Sequence, residues 1–245
     1  MSKDPLLQPF QLKHLTLKNR IMSTSHEPAY GEEGMPKKRY RAYHVERAKA
    51  GLAMTMTAGS AVVWRDSPPT FGNLLAYKDE IVPWLKALAD ECRDHGCAVM
   101  IQLTHLGRRS HWNTGDWLPL LSSSDVREPA HRGFPKPAEP WDIDRIVNDY
   151  ADAAERMQAA GLDGIELHSY CHLINQFMTD QINHRDDEYG GHLPERMQFF
   201  DRVIRAVRER VGPEFIVGIR QTVAEDYKSG GIDQSEGLRI VRKLE

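Results

Sequence analysis

Residues 161–189 read GLDGIELHSYCHLINQFMTDQINHRDDEY. A helix-patterned stretch precedes this segment, and the apolar run at 164–167 predicts a buried strand. Three side chains that can donate or accept protons follow the run, namely His168, Tyr170 and His172. Such groups at the C-terminal end of a strand are typical of a barrel of alternating strands and helices, where the strand ends form the site.

The rest of the chain alternates predicted strands with predicted helices. Apolar runs of strand length lie at 21–25, 52–63, 98–103, 164–167 and 215–220. Helical patterns lie at 35–51, at 79–96, after a predicted cap at Asp142, at 194–210 and after 233–236. This alternation predicts a parallel sheet with helices packed outside it. An open doubly wound sheet would also fit, but no G-x-G-x-x-G motif follows the first strand.

Two further segments have distinct patterns. Residues 5–20 alternate apolar and polar side chains around a turn, which predicts a short hairpin that covers the floor of a barrel. Residues 107–141 are rich in Pro, Ser, Gly and Trp and are too long for an ordinary connection. Long loops in compact domains are usually functional or mobile, so this segment is expected to lie near the site.

The composition limits the class of protein. With 245 residues, 40% of them hydrophobic, the chain can bury one core, so one domain over residues 1–245 is expected. A net charge of −3 argues against nucleic acid or an anionic membrane surface as a partner. No run approaches the roughly 18 apolar residues of a membrane span, and the first residues lack a secretory signal, so a cytoplasmic location is expected. Cys92, Cys97 and Cys171 lack zinc or iron–sulfur spacing and are expected to be free thiols.

A longer segment, DGIELHSYCHLINQFMTDQINHRDDEYGGHLPERMQFF, resembles the Old Yellow Enzyme-like NADH:flavin oxidoreductases. The N-x-R-x-D-x-Y-G-G pattern of that family is matched here by Asn183, Arg185, Asp187, Tyr189, Gly190 and Gly191, and Arg196 follows it. The resemblance is to the long-chain branch, which includes 2,4-dienoyl-CoA reductases, trimethylamine dehydrogenases and N-methylproline demethylases. It implies a TIM (β/α)8-type barrel, of which this chain contains about the first five βα units, and an FMN cofactor.

The resemblance also implies residues that contact the flavin. Gln102 lies in a Q-L-x-H-x-G-R segment, and its amide can both donate to and accept from the flavin pyrimidine edge. Arg220 closes the fifth strand, where a buried guanidinium would suit an anionic reduced flavin; a salt bridge to Glu225 or Asp226 is the structural alternative. The remaining expected contacts come from backbone or small side chains at Ser25, His26, Thr57 and Ala58.

One position bears on how the flavin is attached. Trimethylamine dehydrogenase-like relatives carry a flavin-linked cysteine where this sequence has Glu27. A carboxylate cannot form that thioether, so the flavin is expected to be non-covalent.

Substrate chemistry is expected at the end of the fourth strand. Aligned without gaps, Tyr170 takes the second position of a His/Asn pair that polarises a carbonyl in ene reductases, and His172 takes that of a proton-donating Tyr. The first position of the pair falls on Leu167, and His168 could serve instead if the strand end is bulged. A hydrogen-bonded structural role is the alternative for each histidine. No metal site is expected, because the pairs His105/His111 and His168/His172 lack a carboxylate or thiol at ligand spacing.

These features predict an FMN-dependent oxidoreductase that transfers a hydride between non-covalent flavin and a small substrate. The H-x-Y-x-H strand end favours amine oxidation or demethylation, and reduction of an activated C=C bond is the alternative. NAD(P)H is a candidate electron donor. A non-catalytic barrel fragment is the hypothesis from another class, because the sequence ends within the fifth unit. Open strand edges would then favour a homo-oligomer, and the later barrel strands would be needed for tight binding of the FMN phosphate.

Overall fold

The computed structural model describes residues 4–111, 117–226 and 230–244. Its strands in chain order are β1 Phe10–Leu12, β2 Leu15–Leu17, β3 Met22–Ser23, β4 Met54–Val62, β5 Ala98–Thr104, β6 Leu121–Ser122, β7 Lys136–Pro137, β8 Gly164–Ser169 and β9 Ile216–Gln221. Its α-helices are α1 Lys38–Lys49, α2 Ile81–Arg93, α3 Pro140–Ala159, α4 Leu173–Met178, α5 Leu193–Arg196, α6 Gln198–Val211 and α7 Gln234–Leu244.

The central sheet has five strands in the order β3-β4-β5-β8-β9, and every neighbouring pair is parallel. A helix follows each of the five strands before the chain enters the next strand of this sheet. This confirms the five predicted strand–helix units. Parallel strands bring their C-terminal ends to one edge of the sheet, so the polar residues predicted at the strand ends share one side of the molecule.

The two faces of the sheet bury different residues. Ile101, Leu103, Ile165 and Leu167 are fully buried in the large core between the sheet and the outer helices. On the inner face, Met54, Met56, Met100 and Ile216 form a second cluster, and Leu12, Leu15 and Leu17 of the β1–β2 hairpin pack against it. The hairpin therefore covers the floor of the barrel, as its alternating pattern predicts.

Several predicted boundaries differ from the structure. Helix α1 begins at Lys38 rather than at Met35, because Met35 forms a β-bridge with Glu32. The N-cap of α3 is Glu139, and the predicted cap Asp142 is instead the third helical residue of a capping box.

The other helix starts also shift. Asp79 does not cap α2, because the N-cap of this helix is Glu80. The carboxylate of Asp79 pairs with Arg156 instead. The helix predicted over 194–210 is two helices, α5 and α6, that meet at Met197.

The long segment 107–141 is less irregular than expected. Its β6 and β7 strands pair in parallel, and Leu120, Leu121, Ser122 and Ser123 are buried. Residues 112–116 of this predicted loop lie outside the described residues. Among the helices that the structure describes, none is both long enough and apolar enough to cross a membrane.

The predicted free thiols are confirmed for Cys92, Cys97 and Cys171. Cys92 and Cys97 are buried, and burial raises the pKa of both thiols.

Candidate active site

A half-buried carboxylate lies on the inner face of the sheet. Glu166 of β8 is the register partner of Gln102 on β5, and Gln102 Nε2 donates a hydrogen bond to Glu166 Oε1 at 2.5 Å. Burial raises the pKa of Glu166, while hydrogen bonds from Gln102 and Ser25 and the charge of Arg220 act in the opposite direction. Three of the predicted flavin contacts, from three different strand ends, therefore converge on Glu166.

Sequence reasoning missed Glu166, although a signal was present. In G-I-E-L-H the acid stands two residues before His168, and side chains two apart on a strand share one face. An ionisable residue inside an apolar strand is expected to face a polar interior.

Arg220 lies at the end of β9 opposite His168 in the sheet register. It is exposed, so the prediction of a buried guanidinium is wrong; among the described strands β9 pairs only with β8. The alternative salt bridge is also absent from the described residues, since Glu225 instead accepts hydrogen bonds from Asn175 and Thr179. The guanidinium is therefore available to a ligand at the strand ends.

The three predicted catalytic residues are close together. The ring centroids of His168 and His172 are 4.1 Å apart, and those of His168 and Tyr170 are 6.4 Å apart with a T-shaped geometry. Tyr170 is 55% exposed, whereas His168 and His172 are buried. The strand end therefore presents two closely spaced, mutually tilted imidazoles and one accessible phenol.

Both imidazoles are neutral at ordinary pH. Burial, aided by the charge of Arg220, lowers the pKa of His168 to about 4. Burial and the neighbouring His168 hold the pKa of His172 well below its usual range. His172 Nδ1 forms a 2.7 Å hydrogen bond with Thr104 Oγ1, whereas the buried Nδ1 of His168 has no hydrogen-bond partner among the described residues.

His168 reaches the interior without a bulge. The β8–β9 register is continuous from Gly164↔Ile216 to Ser169↔Gln221. Leu167 is fully buried in the outer core, so it cannot take the first position of a carbonyl-polarising pair. The ungapped alignment is therefore wrong at this residue.

Two further residues that are expected to contact the flavin, Thr57 and Ala58, lie on β4. Thr57 Oγ1 donates to Tyr40 Oη of α1, and the Ala58 backbone N–H donates to the same oxygen. Both residues are fully buried, and the Thr57 hydroxyl faces α1, so a flavin contact at Thr57 would come from its backbone.

His26 is exposed and stacks on Tyr43 of α1, with ring centroids 6.1 Å apart. Beside it, Glu27 Oε1 accepts a hydrogen bond from Ala29 N–H, while the buried Oε2 has no partner in the described chain. Burial raises the pKa of Glu27 to about 7. Sequence reasoning considered Glu27 only as a residue that cannot form a thioether.

A second polar network lies outside the inner face. His105 Nε2 is 2.9 Å from Asp66 Oδ1, and Arg145 bridges Asp66 and Asp149. His105 Nδ1 also accepts from Gly107 N–H at 3.1 Å. These contacts fix the loop after β5 and account for the histidine of the Q-L-x-H-x-G-R segment. In the part of the chain that the structure describes, no cluster of three His, Cys, Asp or Glu side chains could hold a metal ion.

The strand ends fit a flavin. Gln102 supplies an amide and Arg220 an unpaired guanidinium, which suit the alternating donors and acceptors of the pyrimidine edge. The buried, unpartnered atoms His168 Nδ1 and Glu27 Oε2 lie at the ends of the same sheet. Buried polar atoms normally have partners, so their presence here is consistent with a site that a ligand completes.

Comparison with known proteins agrees with this geometry. The chain belongs to the NADH:flavin oxidoreductase / NADH oxidase family, which matches residues 5–243. This family consists of FMN-dependent oxidoreductases that bind FMN and NAD(P)H, and FMN is the cofactor of this class.

Individual relatives narrow the comparison. The chain is 61% identical over 244 residues to the Probable N-methylproline demethylase of Rhizobium meliloti, covering 100% of this chain and 36% of that protein. It is 45% identical over 244 residues to the multifunctional alkene reductase/demethylase OYE of Caballeronia cordobensis, covering 100% of this chain and 36% of that protein. The chain thus spans about a third of the length of these curated relatives.

Among solved structures, morphinone reductase in complex with tetrahydroNAD superposes with a TM-score of 0.88 at 25% identity. The match covers 98% of this chain and 70% of that chain. It confirms the predicted TIM-barrel class and its five shared units.

Proposed function

We propose that this protein oxidises the N-methyl group of a small amine and releases the demethylated amine. The observation that carries the proposal is the pair of buried imidazoles at the end of β8, with ring centroids 4.1 Å apart and with His168 Nδ1 unpartnered in the described residues. An N-methylamine is protonated in neutral water, and its lone pair must be free before a hydride can leave the methyl carbon. A neutral imidazole has one unprotonated ring nitrogen, so it can accept that proton.

The remaining groups would position the reactants. Gln102, Arg220 and Ser25 would hold the flavin ring, with Glu166 orienting the Gln102 amide through its hydrogen bond. Bound FMN supplies a two-electron acceptor for the hydride of the methyl C–H bond. The substrate becomes a methylene iminium, and water then adds to it to give formaldehyde and the demethylated amine.

His168 is the better placed of the two histidines to accept the proton. Its Nδ1 is buried without a partner in the described residues, whereas the Nδ1 of His172 is occupied by Thr104. His172 would instead support the His168 ring from a centroid distance of 4.1 Å.

Reduction of an activated C=C bond is the second candidate. It is favoured by Tyr170, whose neighbour Cys171 raises the pKa of the phenol, so that the phenol stays protonated and able to donate. The relative from Caballeronia cordobensis, named as both an alkene reductase and a demethylase, supports keeping both reactions.

Anaerobic spectroscopy separates the two candidates. N-methylproline, the substrate in the name of the relative from Rhizobium meliloti, should bleach the oxidised flavin and yield one formaldehyde per flavin. Failure of every N-methylated amine to bleach the flavin, together with rapid reoxidation of prereduced flavin by an enone, would contradict the proposal. Tyr170→Phe should slow only the enone reaction.

A further inference from the structure

A cavity of about 330 Å³ is lined by Tyr170, whose ring centroid is 6.4 Å from that of His168. The charged residues of its lining are Arg108 and Arg109 from the loop after β5, together with Glu128, Glu225 and Asp226. This volume is at the lower end of the range for small-molecule sites. The cavity is therefore large enough for a compact substrate that contacts Tyr170.

The two arginines in the cavity wall differ in their partners. Arg108 Nη1 donates to the backbone carbonyls of Val126 and Arg127, each at 2.9 Å. The half-buried Arg109 side chain has no hydrogen bond or ion pair within the described residues, and only its backbone N–H is bonded, to Leu106 O. Arg109 is thus a cation that the fold positions but does not neutralise.

Two of the three carboxylates that line the cavity are already used within the fold. Glu128 Oε2 accepts from the backbone N–H of His131, and its carboxylate also lies 3.2 Å from His131 Nδ1. Glu225 accepts from Asn175 and Thr179 and from the backbone N–H of Ile232. Neither acid forms an ion pair with Arg109. Asp226, the third acid of the lining, forms no ion pair with Arg109 in the described residues either, so the Arg109 guanidinium is available to an incoming anion.

Arg109 lines the same cavity as Tyr170, whose ring centroid is 6.4 Å from that of His168. The charge of Arg109 also contributes to the lowered pKa of His168 and of His172. An anion bound by Arg109 would therefore lie in the cavity beside Tyr170. This arrangement suits a compact molecule that carries both an anionic group and an amine.

We propose that Arg109 binds the carboxylate of an N-methylated amino acid and so directs the substrate amine to His168. This inference rests on the proposed demethylation and adds the substrate class, α-amino acids rather than uncharged amines. A guanidinium binds a carboxylate through two parallel N–H···O bonds, which fixes both the position and the orientation of the substrate.

Ligand binding to the intact FMN-loaded protein tests the assignment without turnover. The dissociation constants of L-proline and pyrrolidine would be measured from the change in the flavin absorption spectrum. In Arg109→Gln, we expect binding of L-proline to weaken about ten- to a hundred-fold, the range of a charge-assisted hydrogen bond, while binding of pyrrolidine is unchanged. Arg109→Lys should restore part of the loss.

Arg127→Gln is the matched control. Arg127 lies on the same long segment, but its guanidinium packs over the Phe134 ring at 5.2 Å from the centroid. This control should bind both ligands like the unaltered protein. An unchanged affinity for L-proline in Arg109→Gln, or an equal loss for L-proline and pyrrolidine, would overturn the assignment, as would failure of the unaltered protein to bind L-proline.

The two proposals can fail separately. If N-methylproline bleaches the flavin but the L-proline affinity does not depend on Arg109, the assignment of Arg109 is wrong and demethylation stands. If no N-methylated amine bleaches the flavin but L-proline binding still depends on Arg109, the carboxylate site stands and the demethylation is wrong.

Discussion

His105 and His168 lie at the C-terminal ends of the neighbouring strands β5 and β8, but their hydrogen-bond partners differ. His105 is fully buried and both of its ring nitrogens are bonded, one with Asp66 and the other with the backbone of Gly107. His168 is 8% exposed, and its Nδ1 has no partner in the described residues. The first histidine belongs to a closed polar network, and the second to a network that a ligand would complete.

The presence or absence of hydrogen-bond partners distinguishes structural from functional histidines here, whereas residue type does not. Burying a polar atom without a partner costs free energy, so a fold keeps such atoms mainly where a ligand supplies the partner. His168 Nδ1 and Glu27 Oε2 are buried without partners in the described residues, and the half-buried Arg109 side chain in the loop after β5 is also unpaired there. The network of Asp66, His105 and Arg145 is paired throughout and is expected to contribute stability instead.

The largest expected effect comes from breaking the closed network. Asp66→Ala would leave His105 and Arg145 without their shared carboxylate, and removing one partner of a buried ion pair typically costs about 3–5 kcal/mol. The free energy of unfolding in urea should fall by that amount. Asp152→Ala, which removes an exposed partner of Arg210, should cost less than about 1 kcal/mol. Equal losses in both variants would contradict a stabilising role for the network.

Glu27 provides an effect of intermediate size that depends on pH. Burial raises its pKa from 4.5 to about 7 in the folded protein. The contribution of this group to stability is therefore full below pH 4.5 and is lost as the pH rises through 7. Glu27→Gln stays neutral, so its stability relative to the unaltered protein should rise across that window by at most about 3 kcal/mol.

Urea unfolding at several pH values checks this prediction. Glu46→Gln is the control, because Glu46 is an exposed carboxylate that pairs with Lys49. The stability of Glu46→Gln relative to the unaltered protein should show no comparable rise with pH. If the free energies of unfolding of Glu27→Gln and of the unaltered protein change in parallel from pH 4.5 to 8, Glu27 is not held in a buried position without a ligand.

A smaller effect is expected for the flavin contacts. Gln102→Ala and Arg220→Ala each remove one hydrogen-bonding group, so FMN dissociation should become about ten-fold easier or the flavin potential should shift. Gln158→Ala is the control, since Gln158 Nε2 donates to Val211 O on the outer side of the sheet. Fluorescence titration with FMN measures the FMN affinity of all three variants. Unchanged FMN affinity and potential in both Gln102→Ala and Arg220→Ala would refute their placement.

The fold could be predicted well from sequence, because its signals are local. Five apolar runs alternate with five helical patterns, and the structure contains these units with shifts of a few residues at their ends. The errors arose where side chains compete for helix starts. Glu139 and Asp142 could each cap α3, and only the three-dimensional position of the chain shows that Glu139 is the cap.

The candidate site could be predicted only in part. Periodicity placed His168, Tyr170 and His172 together at one strand end, and the structure brings them together. Periodicity did not reveal Glu166, because its hydrogen bond with Gln102 depends on the register between β8 and β5, and the two residues are 64 apart in sequence. Arg109 was missed for a similar reason, since only the structure shows that its neighbour Arg108 is paired and Arg109 is not.

The most direct test compares the two histidines in a single measurement, the anaerobic rate at which N-methylproline bleaches the FMN-loaded protein. His168→Asn should lower that rate about a hundred- to ten-thousand-fold, the usual range for loss of a general base. His105→Asn, measured at a temperature where the variant is folded, should retain the rate within a few-fold, because His105 only supports the loop after β5. A rate that is unchanged in His168→Asn but greatly reduced in folded His105→Asn would contradict the assignment of catalysis to His168 rather than to His105.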